Sequence, residues 1–534
     1  MSKSTRIEDP PRVIEMQDDG TAYWRMSTEN PHAEDFDELL DAFAANGVDT
    51  FTQTMHSRWQ AFYDSKVVEI VGDTSPEAVE PWHYTHYWFW ATCVRRAIAN
   101  GADPPKVLAE GAHRRGLKFL ASLRLNDVHG ILPHEGHYGS FRRDHPEWII
   151  GEKSLDFGEV EVREHILSVA RELIEGYDID GLDIDFMRAP LYFRDDQVKA
   201  NTPVMTELVR QIRECLDAAS NKRGRRLLLS ARVPLRLGEG RKINSKVDGQ
   251  YSHDATECLG VGLDVPAWVR DGLIDVVCPM DYYYLKWTQM IDQMASWRRL
   301  TEGSACGLYP TIHGPWLDGY SVPYLCSASY RSAAHSFYER GADGMALYNV
   351  WNNEPKIWDA IGDMADPITL AGKPRRYHVY LDEPVVVEEG GHGQVAFLIP
   401  EDPRAEGTRS ALRFFAFNLT MDHRVEFDLN GTKIEHGDLC FERKMGSKPG
   451  APSQPYGYRV TVPMRKTTAV EGTNTLGVKL IGSNPQIADL PDYQNVPATK
   501  GGIALARVEA LFETEPRRSG NLIHDHGGWF KSEA

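Results

Sequence analysis

The sequence predicts an α/β protein in which a (β/α)8 TIM barrel is followed by a C-terminal all-β sandwich of the jelly-roll type. The length of 534 residues exceeds one ordinary domain. Eight short apolar or alternating segments, most of them preceded by a helix-like stretch, occur before residue 355. After Pro367 the helical periodicity fades and short β-rich runs take over. We expect a barrel over residues 1–367, a sandwich over 376–515 and a tail over 516–534.

The eight barrel strands are expected where apolar or alternating residues follow a Gly or Asp turn. These segments are Arg12–Gln17, Asp49–His56, Leu117–Asn126, Gly181–Met187, Arg226–Pro234, Ile274–Tyr283, Cys306–His313 and Met345–Trp351. Helices that end on a glycine just before the next strand are predicted at several positions. They are Asp35–Asn46, Pro105–Arg115, Val160–Glu175 and Tyr320–Arg340.

Seven β-rich runs separated by turns predict the sandwich. They are Tyr377–Tyr380, Gln394–Ile399, Leu412–Phe417, Arg424–Leu429, Tyr458–Val462, Thr475–Leu480 and Ala504–Phe512.

Composition narrows the class of protein. The formal net charge of −18 is spread along the chain, which disfavours nucleic acid and anionic membranes as partners. No apolar run reaches about 18 residues, and the amino terminus lacks the apolar core of a secretory signal. The seven cysteines are odd in number and far apart, which argues against a disulfide framework. We expect a cytoplasmic protein, with a homo-oligomer left open.

The segment from Tyr177 to Arg188 is the most informative, because it places carboxylates on one face of a buried strand. Side chains alternate along a strand, so Asp183, Asp185 and Met187 share a face. Catalytic residues of a TIM barrel lie at the carboxyl ends of its strands. The alternative is that these aspartates only cap backbone amides or pair with an arginine.

Two further strand ends carry candidate groups. The third strand ends with Arg124 and Asn126, followed by Asp127 and His129, a set suited to binding hydroxyls or carboxylates. Arg124 could instead neutralise Asp183 or Asp185.

The sixth strand ends with Asp281 and Tyr283, two strands from Asp185. A pair of carboxylates from different strands is what a glycosidase requires, and sequence does not choose between the retaining and inverting separations. Asp281 could instead cap the following helix.

The expected mouth of the barrel is rich in aromatic and polar residues, which suit a carbohydrate subsite, although about half of them are expected to serve packing. The candidates beyond those named above are His56, Arg188, Arg232, His313, Trp316, Asn349 and Trp351. No ligand spacing demands a metal, and motifs for nucleotide cofactors, zinc helices and serine nucleophiles are missing from the sequence. No cofactor is therefore expected.

The run Asp180–Met187 resembles the fourth-strand signature of family 18 glycoside hydrolases, with Met187 in the place of the catalytic glutamate. A thioether cannot donate a proton, so the substrate-assisted mechanism of that family is not expected. Tyr177–Arg188 and Arg124–His129 are more similar to bacterial family-10-like glycosyl hydrolases. This resemblance implies a glycosidase barrel and points to Asp185.

These observations predict a glycoside hydrolase that acts on a small or oligomeric carbohydrate. Asp185 would be the nucleophile or general base, Asp281 the general acid, and Asp183 would tune Asp185. Three arginines near the mouth make an acidic sugar worth testing. The alternatives are a carbohydrate-binding barrel without turnover and a sugar lyase or isomerase that uses His and Tyr, with or without a metal.

Overall fold

The computed structural model describes residues 9–17, 31–73, 85–127, 139–151, 154–240, 256–280, 287–313, 327–348, 355–379, 384–444, 457–484 and 502–514. The chain divides into two compact units. The first comprises Met1–Tyr284, Met290–Gly314 and Phe337–Pro355. The second comprises Leu285–Gln289, Pro315–Ser336 and Lys356–Ala534. The expected domain limits of 1–367 and 376–515 stay a prediction.

The first unit alternates strands and helices. Its strands are β1 (Val13–Gln17), β2 (Thr50–Ser57), β3 (Gln60–Ala61), β4 (Lys118–Arg124), β5 (Ile149–Ile150), β6 (Ser154–Leu155), β7 (Gly181–Asp185), β8 (Leu228–Pro234), β9 (Val276–Met280), β10 (Gly307–Leu308), β11 (Thr311–His313) and β12 (Met345–Tyr348). Its helices are α1 (Asp37–Ala45), α2 (Thr85–Ala99), α3 (Pro104–His113), α4 (Ser140–Arg143), α5 (Val160–Gly176), α6 (Val198–Arg223), α7 (Val265–Arg270) and α8 (Trp287–Thr301).

Eight parallel strands close into a barrel, which confirms the predicted fold. The hydrogen-bonded order is β1, β12, β11, β9, β8, β7, β4 and β2, and β1 also pairs with β2. Ile14 of β1 lies beside Ala346 on one side and Thr50 on the other, which closes the sheet. The short strand β10 adds to β9, and β3 folds back antiparallel on β2. All eight predicted strand segments therefore contain a barrel strand.

The helices follow from local sequence signals. In α5, Val162, Ile166, Val169 and Leu173 are buried at spacings of three and four residues, so one stripe of the helix faces the core. Helix α3 begins with two prolines at positions where no intrahelical N–H is needed. Gly116, in the left-handed region at φ 72°, reverses the chain toward β4.

Aspartates hold the amino end of the barrel together in a repeated way. Before each of the second, fourth, sixth and eighth barrel strands, one aspartate accepts a hydrogen bond from a backbone N–H on the preceding barrel strand or beside its start. The pairs are Asp49 with Arg12 at 2.8 Å, Asp180 with Phe119 at 2.9 Å, Asp275 with Leu229 at 2.9 Å and Asp343 with Leu308 at 3.0 Å. The amino end of a TIM barrel is where stability rather than catalysis is concentrated. The same aspartate-to-backbone hydrogen bond therefore occurs in four of the eight strand pairs, and we call it the aspartate clamp.

Removing one clamp should lower stability without touching the carboxyl end. Asp275 also accepts from Arg213 Nη1 at 2.9 Å and Arg226 Nε at 2.7 Å. We expect Asp275→Asn to lower the free energy of unfolding by about 2 kcal/mol, because buried charged hydrogen bonds are lost. Urea unfolding measures this. Asp271→Asn, which removes an exposed carboxylate paired with Arg270, is the control and should change little. Equal stability of the two variants would contradict the clamp.

The second unit is built on two antiparallel sheets. Its strands are β13 (Arg375–His378), β14 (Val385–Val387), β15 (His392–Ile399), β16 (Thr408–Phe417), β17 (Arg424–Leu429), β18 (Thr432–Lys433), β19 (Cys440–Lys444), β20 (Gly457–Pro463), β21 (Gly472–Gly482) and β22 (Ile503–Thr514). Its helices are most of α9 (Ser327–Tyr338), α10 (Pro355–Met364) and α11 (Pro367–Ala371). Short 3₁₀ turns in the two units cover Ala33–Phe36, Pro146–Trp148, Leu259–Val261, His436–Asp438 and Met464–Lys466.

The sheets form the predicted sandwich. One has the order β13, β22, β16, β20, β19 with β14 also on β22, and the other has the order β15, β21, β17, β18. Apolar residues from both share one core, where the rings of Phe414 and Phe427 lie 4.9 Å apart. The seven predicted runs are all strands. Three strands were not predicted, β14, β18 and β19, because they are short or rich in charged residues.

Candidate active site at the carboxyl end of the barrel

Three charged side chains stand abreast on neighbouring barrel strands. The parallel register places Arg124 of β4 beside Asp185 of β7, and Asp185 beside Arg232 of β8. All three are the last or nearly the last residues of their strands, and their side chains are at most 2% exposed. Burying charges inside a barrel costs free energy unless the charges pair, so the burial of these three side chains requires an explanation. We call these three residues the charged row.

Asp185 is enclosed by nitrogen atoms. Its Oδ2 lies 3.2 Å from Arg124 Nε and 2.5 Å from Arg232 Nη2. Its Oδ1 accepts from the amides of Met187 at 2.8 Å and Arg188 at 3.2 Å, and from Arg232 Nε at 3.2 Å. Burial raises the pKa of Asp185, while the Arg124 guanidinium and the two amides act in the opposite direction. Every one of these contacts comes from a donor, so the ionised carboxylate is the form that the site accommodates.

The charged row continues toward β2 through Asp127. Asp127 Oδ2 accepts from Arg124 Nη1 at 3.1 Å and from the Ser57 hydroxyl at 2.6 Å, and it lies 3.7 Å from Arg58 Nε. Charges therefore alternate from Arg58 through Asp127, Arg124 and Asp185 to Arg232. The sequence analysis did not identify Arg58 as a site residue, because the sequence gives no signal for the turn between β2 and β3.

Tyr348, at the end of β12, contacts both arginines of the charged row. Its hydroxyl accepts from Arg124 Nη2 at 3.2 Å, and the Arg232 guanidinium lies 4.4 Å above its ring. Burial lowers the pKa of Arg232 to about 10, which still leaves it charged at neutral pH. The sequence analysis did not name Tyr348 as a site residue. Tyr348 lies two residues after Ala346 in the predicted eighth strand, so strand alternation would have placed both side chains on the inward face.

Asp183 lies one level deeper on β7. Its Oδ2 accepts from the Ser122 hydroxyl at 3.0 Å, and its Oδ1 has no hydrogen-bond partner among the described residues. Burial raises its pKa to about 7, and the charge of Asp185 adds to the rise. Asp183 therefore holds its proton into the neutral pH range.

Asp183 should make stability depend on pH. Because its pKa is raised in the folded state, the folded protein holds a proton between about pH 4 and 7 that the unfolded chain has released, and stability is lost as pH rises through this range. We expect Asp183→Asn to match wild type near pH 4 and to be more stable by about 4 kcal/mol at pH 7. Melting temperatures across this range test it. A stability difference between Asp183→Asn and wild type that does not change with pH would contradict the raised pKa of Asp183.

Met187 occupies the place of the acid in the family 18 motif. It is buried in an apolar cluster inside the barrel, together with Met16, Met280, Tyr309 and Tyr348. The structure thus offers no proton donor at this position, in line with the sequence argument.

Asn126 and Arg188 hold the chain around the charged row. The Asn126 side-chain amide donates to the carbonyls of Leu155 at 3.2 Å and Leu191 at 2.5 Å, and its oxygen accepts from the Leu155 amide at 3.2 Å. This contact set favours a structural role for Asn126 rather than the predicted binding role. Arg188 is half-buried, and its charge also favours the ionised form of Asp185.

His56 is buried at the end of β2 and pairs with a second histidine that was not predicted. Its Nε2 lies 3.1 Å from Nε2 of His165 on α5, so one ring donates and the other accepts. Burial lowers the pKa of His56 to about 4, and both rings are neutral at pH 7. Trp59 packs edge-on against both rings. His56 is thus enclosed by aromatic rings, which favours a structural role over the predicted ligand contact.

The β2–β3 turn next to this pair adopts a strained conformation. Arg58 and Trp59 have φ values of 53° and 64°, in the left-handed region that costs residues other than glycine roughly 1–2 kcal/mol each. Gly139 locks the turn, since its N–H donates to the Arg58 carbonyl at 3.1 Å and a Cβ there would lie 2.3 Å from the Trp59 oxygen. Ala189, in the loop after β7, also has a positive φ of 52°. Strain of this kind clusters at functional sites.

Several predicted residues lie outside the described residues. They are Asp281, His129, Tyr283, Trp316, Asn349 and Trp351. His313 ends β11, but its side chain is not described. The roles assigned to these residues stay predictions, as does the tail at 516–534. Met280, the residue before Asp281, lies beside Pro234 of β8 and therefore two strands from Asp185.

Within the described ranges, no three side chains of His, Cys, Asp or Glu are grouped so that they could hold a metal ion. The described helices include none that is long and apolar enough to cross a membrane. The chemistry available at the carboxyl end of the barrel consists of ionised carboxylates, one carboxyl group with a pKa near neutrality, and guanidinium groups that bind anions and hydroxyls.

Comparisons with known proteins give distant similarity to glycoside hydrolases. No protein-family model and no curated protein matches the sequence. An α-L-fucosidase isoenzyme 2 from Paenibacillus thiaminolyticus has a TM-score of 0.39 at 10% identity over 66% of this chain and 48% of its own. The chitinase ChiW from a Paenibacillus species has a TM-score of 0.39 at 11% identity over 85% and 52%. A family 18 N-acetylglucosaminidase from Paenibacillus barengoltzii has a TM-score of 0.36 at 12% identity over 66% and 100%.

This chain spans about half the length of the fucosidase and of ChiW. The resemblance to family-10-like glycosyl hydrolases stays a prediction.

Proposed function

We propose that this protein is a glycoside hydrolase whose active site lies at the carboxyl end of the barrel. The observation that supports this most is the charged row, in which Arg124, Asp185 and Arg232 meet in register on three neighbouring strands. A buried ion pair is weak evidence for stability, since apolar residues of similar volume often stabilise a core better. Three charges at the end of the barrel where TIM-barrel enzymes carry their active sites are better explained by function.

Asp185 supplies the carboxylate that serves as nucleophile or general base, and Asp281 is the proposed general acid. In the sequence Asp281 follows Met280, the last residue of β9, and both β9 and the Asp185 strand β7 pair with β8. This arrangement supports a two-carboxylate mechanism. Because five nitrogen atoms surround Asp185, one guanidinium must turn toward the substrate before an oxygen is free to react.

The test is hydrolysis of a panel of aryl glycosides and natural oligosaccharides, followed by reducing-end release. We expect Asp281→Asn and Asp185→Asn to lower kcat on a cleaved substrate by about 1,000-fold or more, since each removes a reacting group. Circular dichroism at the assay temperature shows whether each variant is folded. Asp271→Asn is the control with an exposed carboxylate and should keep wild-type turnover. A folded Asp281→Asn with near wild-type turnover would remove that residue from the mechanism.

A carbohydrate-binding barrel without turnover is the second candidate. It is favoured by the saturation of Asp185 with donors and by the apolar packing of Met187 where family 18 has its acid. This candidate predicts that oligosaccharides bind to the wild-type protein and are recovered intact after long incubation. The hydrolase proposal predicts that they are consumed.

A further inference from the structure

We propose that the second unit contains a serine esterase site, in which Ser329 is the nucleophile, His378 the general base and Glu509 the residue that positions the histidine. All three residues belong to the second compact unit. This activity goes beyond the glycoside hydrolysis proposed for the barrel. The sequence has no Gly-x-Ser-x-Gly elbow, but triads of this kind recur on unrelated folds and are recognised by geometry rather than by sequence.

The sheet register brings the histidine and the glutamate together. In the antiparallel pairing, His378 of β13 lies opposite Glu509 of β22, and opposite residues of paired strands point to the same face of a sheet. Tyr377 and Val379, on either side of His378, belong to the sandwich core. By alternation, His378 and Glu509 therefore lie on the face turned away from that core. Helix α9 contacts this face through Ser329.

The three side chains make contacts in the order of a catalytic triad. Ser329 Oγ lies 2.7 Å from His378 Nε2, and His378 Nδ1 lies 3.4 Å from Glu509 Oε1. A ring with serine at one nitrogen and a carboxylate at the other can take the serine proton, and the carboxylate then stabilises the imidazolium. The second distance is long for a hydrogen bond, as is common before a substrate binds.

The charge of each group suits its role. Arg376 donates to both oxygens of Glu509 over 2.7 to 3.1 Å. Although burial alone would raise the pKa of Glu509, the Arg376 guanidinium helps to hold that pKa well below its usual range. Burial lowers the pKa of His378, so the ring is neutral at pH 7 and can accept a proton. Ser329 is the third residue of the 12-residue helix α9, whose positive dipole end favours a developing oxyanion.

The proposed reaction is hydrolysis of a small carboxylic ester. Ser329 Oγ attacks the carbonyl carbon while His378 Nε2 takes its proton, and the alcohol leaves with that proton. Water, with the same ring as its base, then releases the acid and restores the serine. Ser329 is buried, whereas Ser327 and Ala328 before it are half-buried. Because helix ends open at little cost in free energy, fraying of the first turn of α9 gives a small ester access.

The experiment treats the full-length protein with phenylmethanesulfonyl fluoride and maps the modified residue by peptide mass spectrometry. The reaction forms a bond between the serine oxygen and sulfur, fluoride leaves, and the base takes the serine proton, so modification reports an activated serine. We expect Ser329 to react at least about tenfold faster than Ser410. Ser410 is a matched reference, because it is a buried serine of the same unit that donates to the Pro403 carbonyl at 2.5 Å.

Two variants test the ester chemistry. Ser329→Ala should lose the modification and lower the hydrolysis of p-nitrophenyl acetate by about 100-fold or more, since the nucleophile is removed. Ser410→Ala should match wild type in both measurements, and circular dichroism shows that each variant is folded. An unmodified Ser329 in the wild-type protein, or equal ester hydrolysis by wild type and Ser329→Ala, would overturn the proposal.

Nitrogen-15 NMR of the His378 ring separates a triad from a structural hydrogen bond, with His378→Gln used to assign the signals. A base positioned by Glu509 carries its proton on Nδ1 at pH 7 and leaves Nε2 to accept from Ser329. A ring that serves only to hold α9 on the sheet can instead donate from Nε2 to the serine oxygen. A proton on Nε2 at pH 7 would contradict the proposed role of Glu509.

Discussion

Replacing Asp185 with asparagine is expected to destabilise the barrel by about 3–5 kcal/mol, because two buried guanidinium groups lose their shared anion. Arg124 and Arg232 both contact Asp185, and the side chains of all three are at most 2% exposed. Asparagine can accept fewer of these contacts, and its amide would face donors. Chemical unfolding measures the change, and hydrogen exchange of amides in β4, β7 and β8 should locate it.

A compensated variant separates charge balance from lost packing. Replacing the whole charged row with apolar residues, as Arg124→Met with Asp185→Leu and Arg232→Met, should recover most of the stability lost by Asp185→Asn. The same variant should bind no sugar. If Asp185→Asn were as stable as wild type, the buried ion pairs described here would be contradicted.

Replacing Glu509 with glutamine should have a comparable effect on the second unit. Glu509 lies on β22 and is fully buried, with both oxygens within 3.1 Å of Arg376 and Oε1 3.4 Å from His378 Nδ1. Burial alone would raise its pKa, but the charges of Arg376 and Arg413 and the hydrogen bond of His378 hold the pKa of Glu509 well below its usual range. We expect a loss of about 3–5 kcal/mol, because a charge-assisted pair becomes an uncompensated buried cation.

The matched control is Glu426→Gln, which removes an exposed carboxylate paired with Lys433 in the same unit. It should change stability by less than about 1 kcal/mol. Hydrogen exchange should show the loss in Glu509→Gln at β13, β16 and β22, the strands joined by these residues. Similar effects for the two glutamates would contradict the assignment of Glu509 as a buried charge centre.

The fold was predictable because its signals are local and repeated. Eight apolar segments separated by helices define a parallel barrel regardless of the details of each strand. The Tyr177–Arg188 motif could be interpreted only in part, because its aspartates lie at both ends of β7 and have different roles there. Asp180 binds the Phe119 amide and Arg225 at the amino end, whereas Asp185 belongs to the site at the carboxyl end. Periodicity alone does not distinguish these two uses of an aspartate.

The site was predicted less completely, because its contacts depend on register and on rare backbone conformations. The sequence identifies Arg124 and Arg232 as candidates and allows Arg124 to pair with Asp185. The convergence of both arginines on one carboxylate depends on the register of three strands. Arg58 gave no signal, since Arg-Trp is not a turn sequence. The position of Asn126 after a strand predicts a binding role, yet its side-chain amide donates to the backbone carbonyls of Leu155 and Leu191.

The most direct test of the account is a structure of Asp281→Asn with a bound oligosaccharide of the class that wild type cleaves. We expect a sugar ring at the carboxyl end of the barrel, with its glycosidic oxygen near residue 281 and its anomeric carbon facing Asp185. A sugar found only on the β-sandwich or on the outer helices, with the charged row untouched, would contradict the assignment of the barrel mouth as the active site.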